Sequence, residues 1–132
     1  MDKYNIMTKV SPHVQIYKFP ITAISSITNR VTGLGITGMY IGLGSSLLFN
    51  KNVLELYDKA PQPAKTIINY TVLFPNIYHT FGGIRHFVWD KYPKYLTNVK
   101  VQNSSIAIFG LSVISTIFTE SYILKKNIKH LF

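Results

Sequence analysis

Three stretches of this chain contain no Asp, Glu, Lys or Arg: Val31 to Asn50, Thr66 to Ile84, and Val101 to Thr119. A helix needs about 20 residues, at a rise of about 1.5 Å each, to cross a hydrocarbon core of about 30 Å. Each stretch reaches that scale, and in lipid only helices and closed barrels satisfy their own backbone hydrogen bonds. The fold class expected is therefore an all-α membrane protein with three transmembrane helices. Composition agrees, since 47% of the 132 residues are hydrophobic and only 14% charged, against about 25% charged in soluble domains. The spans use nearly half the chain, and the short loops and tails that remain leave no room for a separate catalytic domain.

The formal charge of +9 does not indicate nucleic acid. The basic residues are dispersed and lie outside the three stretches, as they do around membrane helices. With no cysteine, the chain cannot form disulfides or ligate iron-sulfur clusters through thiolates. Met1-Asp2-Lys3-Tyr4 opens with an acid and shows neither an Arg-rich amphipathic stretch nor a compact apolar core. The expectation is a chain that is mature, inserted directly, or made in the compartment where it works.

Residues 1–19 mix charge with aromatics and contain the Ser11-Pro12-His13 break, so they read as an N-terminal interfacial arm. Helix 1 is expected over about 20–49, with Pro20 suited to its first turn. Its Gly38, Gly42 and Ser46 form a small-residue stripe for close helix packing. Lys51 to Lys65, with Ala60-Pro61-Gln62-Pro63, reads as a surface connection. Helix 2 is expected over about 64–89 and contains Pro75, whose ring frees a carbonyl and favours a kink four residues before His79. Trp89, Tyr92 and Tyr95 among lysines have the composition of an aromatic belt at the headgroups. Helix 3 is expected over about 101–124, with Ser104, Ser105, Ser112 and Ser115 available for interhelical hydrogen bonds. The whole chain, 1–132, is one membrane-anchor domain.

The arm and second loop hold Lys3, Lys9, Lys18, Arg30, Arg85, Lys91, Lys94 and Lys100. The first loop and tail hold the smaller set Lys51, Lys59, Lys65, Lys125, Lys126 and Lys129. The positive-inside rule puts the N-terminus in the cytoplasm or matrix. No ionisable residue stands midway along any stretch, which argues against a transporter or channel.

The chemistry concentrates at one membrane face. His79 lies near the end of the second stretch, and an ionisable group at membrane depth must pair, line a cavity or bind a metal. On a helix, Gly82, Gly83 and His86 share its face, and the two missing side chains leave a recess that a planar ring such as a porphyrin could occupy. Imidazole is a standard axial ligand of haem iron, and Arg85 and His86 are placed to hold propionates. His86, on the same face, cannot reach the far side of the ring. A second axial ligand would come from another membrane subunit. On residues alone the other reading also stands, in which His79 hydrogen-bonds a neighbouring helix and binds nothing. Ser26 and Arg30, spaced i to i+4, could donate hydrogen bonds to a quinone carbonyl and stabilise its developing charge. They could equally be a packing hydroxyl and a snorkelling boundary residue.

Ser11-Pro12-His13-Val14-Gln15-Ile16-Tyr17, Ser26-Ile27-Thr28-Asn29-Arg30-Val31-Thr32-Gly33, and His79-Thr80-Phe81-Gly82-Gly83-Ile84-Arg85-His86-Phe87-Val88-Trp89-Asp90 follow one another in this order. Together they resemble the three signature stretches of the succinate dehydrogenase cytochrome b556 subunit family, the larger membrane anchor of respiratory complex II. The HxxxGxRHxxxD block is the specific part. The resemblance implies half of a heterodimeric helical bundle that brackets one haem b with a second small membrane-anchor subunit, the latter supplying the other axial ligand. It implies a flavoprotein subunit that oxidises succinate and an iron-sulfur subunit that relays electrons, so neither flavin nor iron-sulfur chemistry falls to this chain. Ubiquinone is the implied substrate at a site including Ser26 and Arg30. His79 is the implied axial ligand, with Arg85, His86, Gly82, Gly83 and Asn29 around the haem, and Asp90 is placed to cap helix 2 or assist near the pocket. The implied location is the mitochondrial inner membrane with the N-terminus in the matrix, or alternatively a bacterial plasma membrane. One position departs from the family, which usually has histidine where this chain has Asn29. An amide there hydrogen-bonds but carries no proton, and the alternative function is a purely structural anchor of the same complex that has lost haem.

Overall fold

The computed structural model describes residues 19–49 and 52–129, with side chains as far as residue 125. The described residues form helices α1 (Ile21–Leu48), α2 (Val53–Lys59) and α3 (Gln62–Lys91), a 3₁₀ turn at Pro93–Tyr95, and helix α4 (Asn98–Lys129). The arm expected over residues 1–19, with His13, lies outside them except for its last residue, and so does His130.

Proline sets two of the helix starts. Pro20 is extended (φ −72°, ψ 151°) and stands just before α1 as its N-cap, while Pro61 does the same for α3 (φ −65°, ψ 152°). Its fixed φ suits the position, and its missing N–H costs nothing where the helix has no acceptor to offer. The connection between the first two long helices contains α2, which seven residues of sequence are too short to reveal by periodicity. Asn52 caps it by accepting from the Glu55 N–H at 3.1 Å, and Lys59 pairs with Glu55 at 2.6 Å one turn apart. Tyr57 ties α2 to α3 by donating to Asn69 Oδ1 at 2.9 Å. Helix α3 continues through Pro75.

Burial is inverted relative to a soluble domain. Among the described residues the buried ones are Ser25, Thr32, Tyr78, Gly82, Ser105, Ser112, Thr116 and Glu120, and Tyr78 is the one large hydrophobic side chain in that set. Leu34, Leu47 and Phe118 are 75%, 77% and 74% exposed. Soluble proteins put such side chains inside. Membrane helices put small and hydroxyl residues at their contacts instead, because lipid is as apolar as leucine. By length and composition α1 and α4 can cross a membrane. Helix α3 is uncharged from Thr66 to Ile84 but less apolar, and it turns Asn76, Tyr78 and His79 toward α1. It packs against both α1 and α4.

Two expectations about packing change. The serines of α4 do not bridge helices in general: Ser104 and Ser105 donate to the Val101 carbonyl and Ser112 to that of Ile108. A hydroxyl within reach of its own preceding turn takes that acceptor first, and Ser105 alone of these also receives a donor from another helix. The stripe of Gly38 and Gly42 is likewise unused among the described residues, since a Cβ on either would meet nothing within 4 Å.

Candidate functional site

Helices α1 and α3 are joined by a reciprocal insertion of polar side chains over glycine. The ring of His79 enters from α3 over Gly33 of α1, where a Cβ would lie 2.8 Å from the ring Cε1. One turn away the side chain of Asn29 enters from α1 over Gly82 of α3, where a Cβ would overlap its Oδ1. Because Gly82 is filled in this way, the recess beside His79 on its own helix is a helix contact, while Gly83 faces open space. His79 Nδ1 lies 3.0 Å from the Asn29 carbonyl oxygen. A carbonyl only accepts, so Nδ1 carries the proton and donates. The same carbonyl accepts from the Thr32 hydroxyl at 3.0 Å. Among the described residues no hydrogen bond engages Nε2 of His79, whereas the buried Oδ1 of Asn29 has no partner.

Beside this insertion lies a polar cluster that spacing did not reveal. Tyr78 is buried, with its hydroxyl 2.9 Å from Ser25 Oγ and donating to the Ser25 carbonyl at 3.2 Å. Arg85 Nη2 donates to Ser25 Oγ at 3.3 Å and Nη1 to Ser105 Oγ at 2.9 Å, so one guanidinium joins α1, α3 and α4. Its Cζ also lies 4.7 Å from the Trp89 ring centre. Arg85, expected beside a propionate, therefore has both terminal nitrogens committed within the chain. Two neutral hydroxyls on facing helices engage those nitrogens, while its buried Nε has no partner among the described residues.

Ser26 and Arg30 are exposed on α1. At 3.6 residues per turn they lie about 100° round the helix from Ser25 and Asn29, flanking the α1–α3 seam instead of filling it. They share a face as the spacing requires. His86 is exposed and stands edge-on to Trp89, ring centres 5.4 Å apart. It lies about 10 Å along α3 from His79 by helix rise. Asp90 is exposed and does not cap the helix, whose end is closed by the Tyr92 N–H donating to the Val88 carbonyl at 2.9 Å. A helix C-terminus needs donors for its last carbonyls, and a carboxylate has none.

One residue went unnoticed. The apolar span of α4 extends to Lys125 and so includes Glu120, 1% exposed, with neither carboxyl oxygen hydrogen-bonded among the described residues. The charge-free window stopped one residue short of it. The available signal was its register, one and two turns beyond Thr116 and Ser112 on the same buried face.

The sequence profile of the succinate dehydrogenase/fumarate reductase transmembrane subunit matches residues 5–119. The chain belongs to this family. It is 36% identical over 121 residues to the mitochondrial succinate dehydrogenase cytochrome b560 subunit of Dictyostelium discoideum, covering 83% of this chain and 59% of that protein. Against the Sus scrofa subunit of the same name it is 34% identical over 115 residues, covering 82% and 67%. The cytochrome b560 subunit of Porphyra purpurea is 31% identical over 121 residues, covering 82% and 93%. The chain thus spans about three fifths to two thirds of the length of the first two relatives. The matched stretch of this transmembrane-subunit family contains Ser26, Asn29, Arg30, Gly33, His79 and Arg85; Glu120 stands just beyond it.

Proposed function

We propose that this chain is a membrane-anchor cytochrome b subunit of a succinate:ubiquinone oxidoreductase, giving one axial ligand to haem b and part of a ubiquinone-reduction site. The observation that carries this reading is the state of His79. A metal-ligating imidazole characteristically donates its second nitrogen to a carbonyl or carboxylate, which fixes the tautomer and raises the basicity of the other nitrogen. The Asn29 carbonyl does this to Nδ1 at 3.0 Å and leaves the Nε2 lone pair available. These residues fit the group: His79 would hold the iron, and Gly83 and His86, open on α3, would border the macrocycle. Haem b, when bound, supplies a one-electron redox centre. Arg85 serves the pocket by holding α1 and α4 against α3.

Ser26 and Arg30 present a hydroxyl and a guanidinium on the outer face of α1, where a quinone carbonyl can accept from both. Arg30 stays charged throughout and stabilises the negative charge that develops on the oxygen, so the protons come from water or a partner side chain. The partners are a second small membrane anchor supplying the other haem ligand, an iron-sulfur subunit and a flavoprotein. The open Gly38 and Gly42 face is suited to the second anchor's helices. Helix α3 crosses the bilayer between α1 and α4, in the mitochondrial inner membrane with the N-terminus in the matrix. Ser26→Ala and Arg30→Leu in the assembled complex are each expected to lower succinate-dependent quinone reduction by about tenfold or more, the loss of a charge-stabilising donor. Succinate oxidation by a soluble dye should be unchanged, and equal loss of both activities would contradict the assignment.

One observation favours a second reading, a structural anchor of the same complex without haem. Asn29 replaces the usual histidine and fills the recess over Gly82. A visible spectrum of the isolated complex separates the two.

A further inference from the structure

Arg85 is a half-buried cation on a lipid-embedded helix, and among the described residues its hydrogen bonds go only to hydroxyls. Such a charge calls for an anion. The sequence has five carboxylates, of which Glu55, Asp58, Asp90 and Glu120 are described, and the one ion pair among the described residues is Lys59–Glu55. The Nε atom of Arg85 is buried and has no partner among the described residues. Arg85 lines a groove of about 490 Å³ between α3 and α4, apolar along Ile84 and Leu111, with Lys100 as its second cation and Trp89 and Tyr95 beside it. The Lys100 ammonium rests 4.7 Å from the Tyr95 ring centre. Cations interleaved with Trp and Tyr at the charged end of two membrane helices mark headgroup depth.

We propose that this groove is a binding site for one anionic phospholipid, an acyl chain lying along Ile84 and Leu111 and the phosphate meeting Lys100 and the positive field of Arg85. An uncharged partner helix would fill the apolar part but bring no counter-charge. A phospholipid brings both. The excess of 14 basic over 5 acidic residues favours a net negative headgroup over a zwitterionic one. The larger cavity of about 540 Å³ under α2 is an internal contrast, because its one basic residue, Lys59, is already paired with Glu55. The proposal rests on the functional reading above only in placing the chain in a bilayer.

The test is native mass spectrometry of the delipidated complex containing this chain, titrated with phosphatidylglycerol or with phosphatidylcholine. The expected result is one tightly held phosphatidylglycerol, preferred about fivefold, the scale of one basic residue at an anionic headgroup. Lys100→Glu, an exposed change on the helix surface, should abolish the preference, and Ala107→Phe, which fills the groove, should abolish retention of the lipid. Equal binding of both lipids, or an undiminished preference in Lys100→Glu, overturns the proposal. So does crosslinking that places a polypeptide over Ala107. A complex that lacks a b-type spectrum yet keeps the Lys100-dependent preference supports the lipid site while removing the haem assignment.

Discussion

A single methyl group at position 33 is enough to displace His79. A Cβ added to Gly33 would lie 2.8 Å from the imidazole Cε1, well inside van der Waals contact, and a ring held by the Asn29 carbonyl cannot withdraw without breaking that bond. Gly33→Ala is accordingly expected to weaken or shift the b-type absorption of the reduced complex while its subunits still copurify; an unaltered spectrum would show that the insertion has no bearing on the ligand. His79 was legible in the sequence because a histidine in an uncharged stretch is conspicuous. Gly33 was not, because the recess that matters lies across the helix seam, and spacing along α3 pointed to Gly82 and Gly83 instead. Glu120 poses the opposite question, a buried carboxyl with no partner among the described residues. Leaving such a group unsatisfied costs about 1–3 kcal/mol. Glu120→Leu should therefore raise the thermal midpoint of the complex, and a lowered midpoint would reveal that the carboxyl is engaged there.

Among the elements, the three long helices followed from the charge-free stretches, because the absence of charge over about 20 residues is itself the signal for a lipid-spanning helix. What spacing could not convey is which hydroxyl faces which helix. Ser25 and Ser26 are chemically identical neighbours, yet Ser25 is buried under Tyr78 and Arg85 while Ser26 is exposed. About 100° of rotation separates a clamp from the proposed quinone donor. Ser25→Ala would remove the acceptor for Arg85 Nη2 and one of the two partners of the Tyr78 hydroxyl, leaving it the residue's carbonyl. Its expected cost is about 1–3 kcal/mol, read as a lower thermal midpoint in detergent. The effect on quinone reduction should be small beside that of Ser26→Ala. Similar losses of quinone reduction from the two serines, with stability unchanged, would contradict the division of roles.

Taken whole, the molecule is inside out: serine, threonine and glycine line the contacts, and leucine and phenylalanine face outward. That distribution, the two strongly apolar helices and the family match agree on a transmembrane subunit. The open face at Gly38 and Gly42 suits the proposed second anchor. Its proposed contribution to redox chemistry depends on one imidazole. The most direct measurement is the reduced-minus-oxidised visible spectrum of the purified complex carrying His79→Ala, with flavin content and subunit composition determined on the same sample. If His79 holds the iron, the b-type band disappears while the flavin and the partner polypeptides remain; an undiminished band would rule His79 out as the ligand.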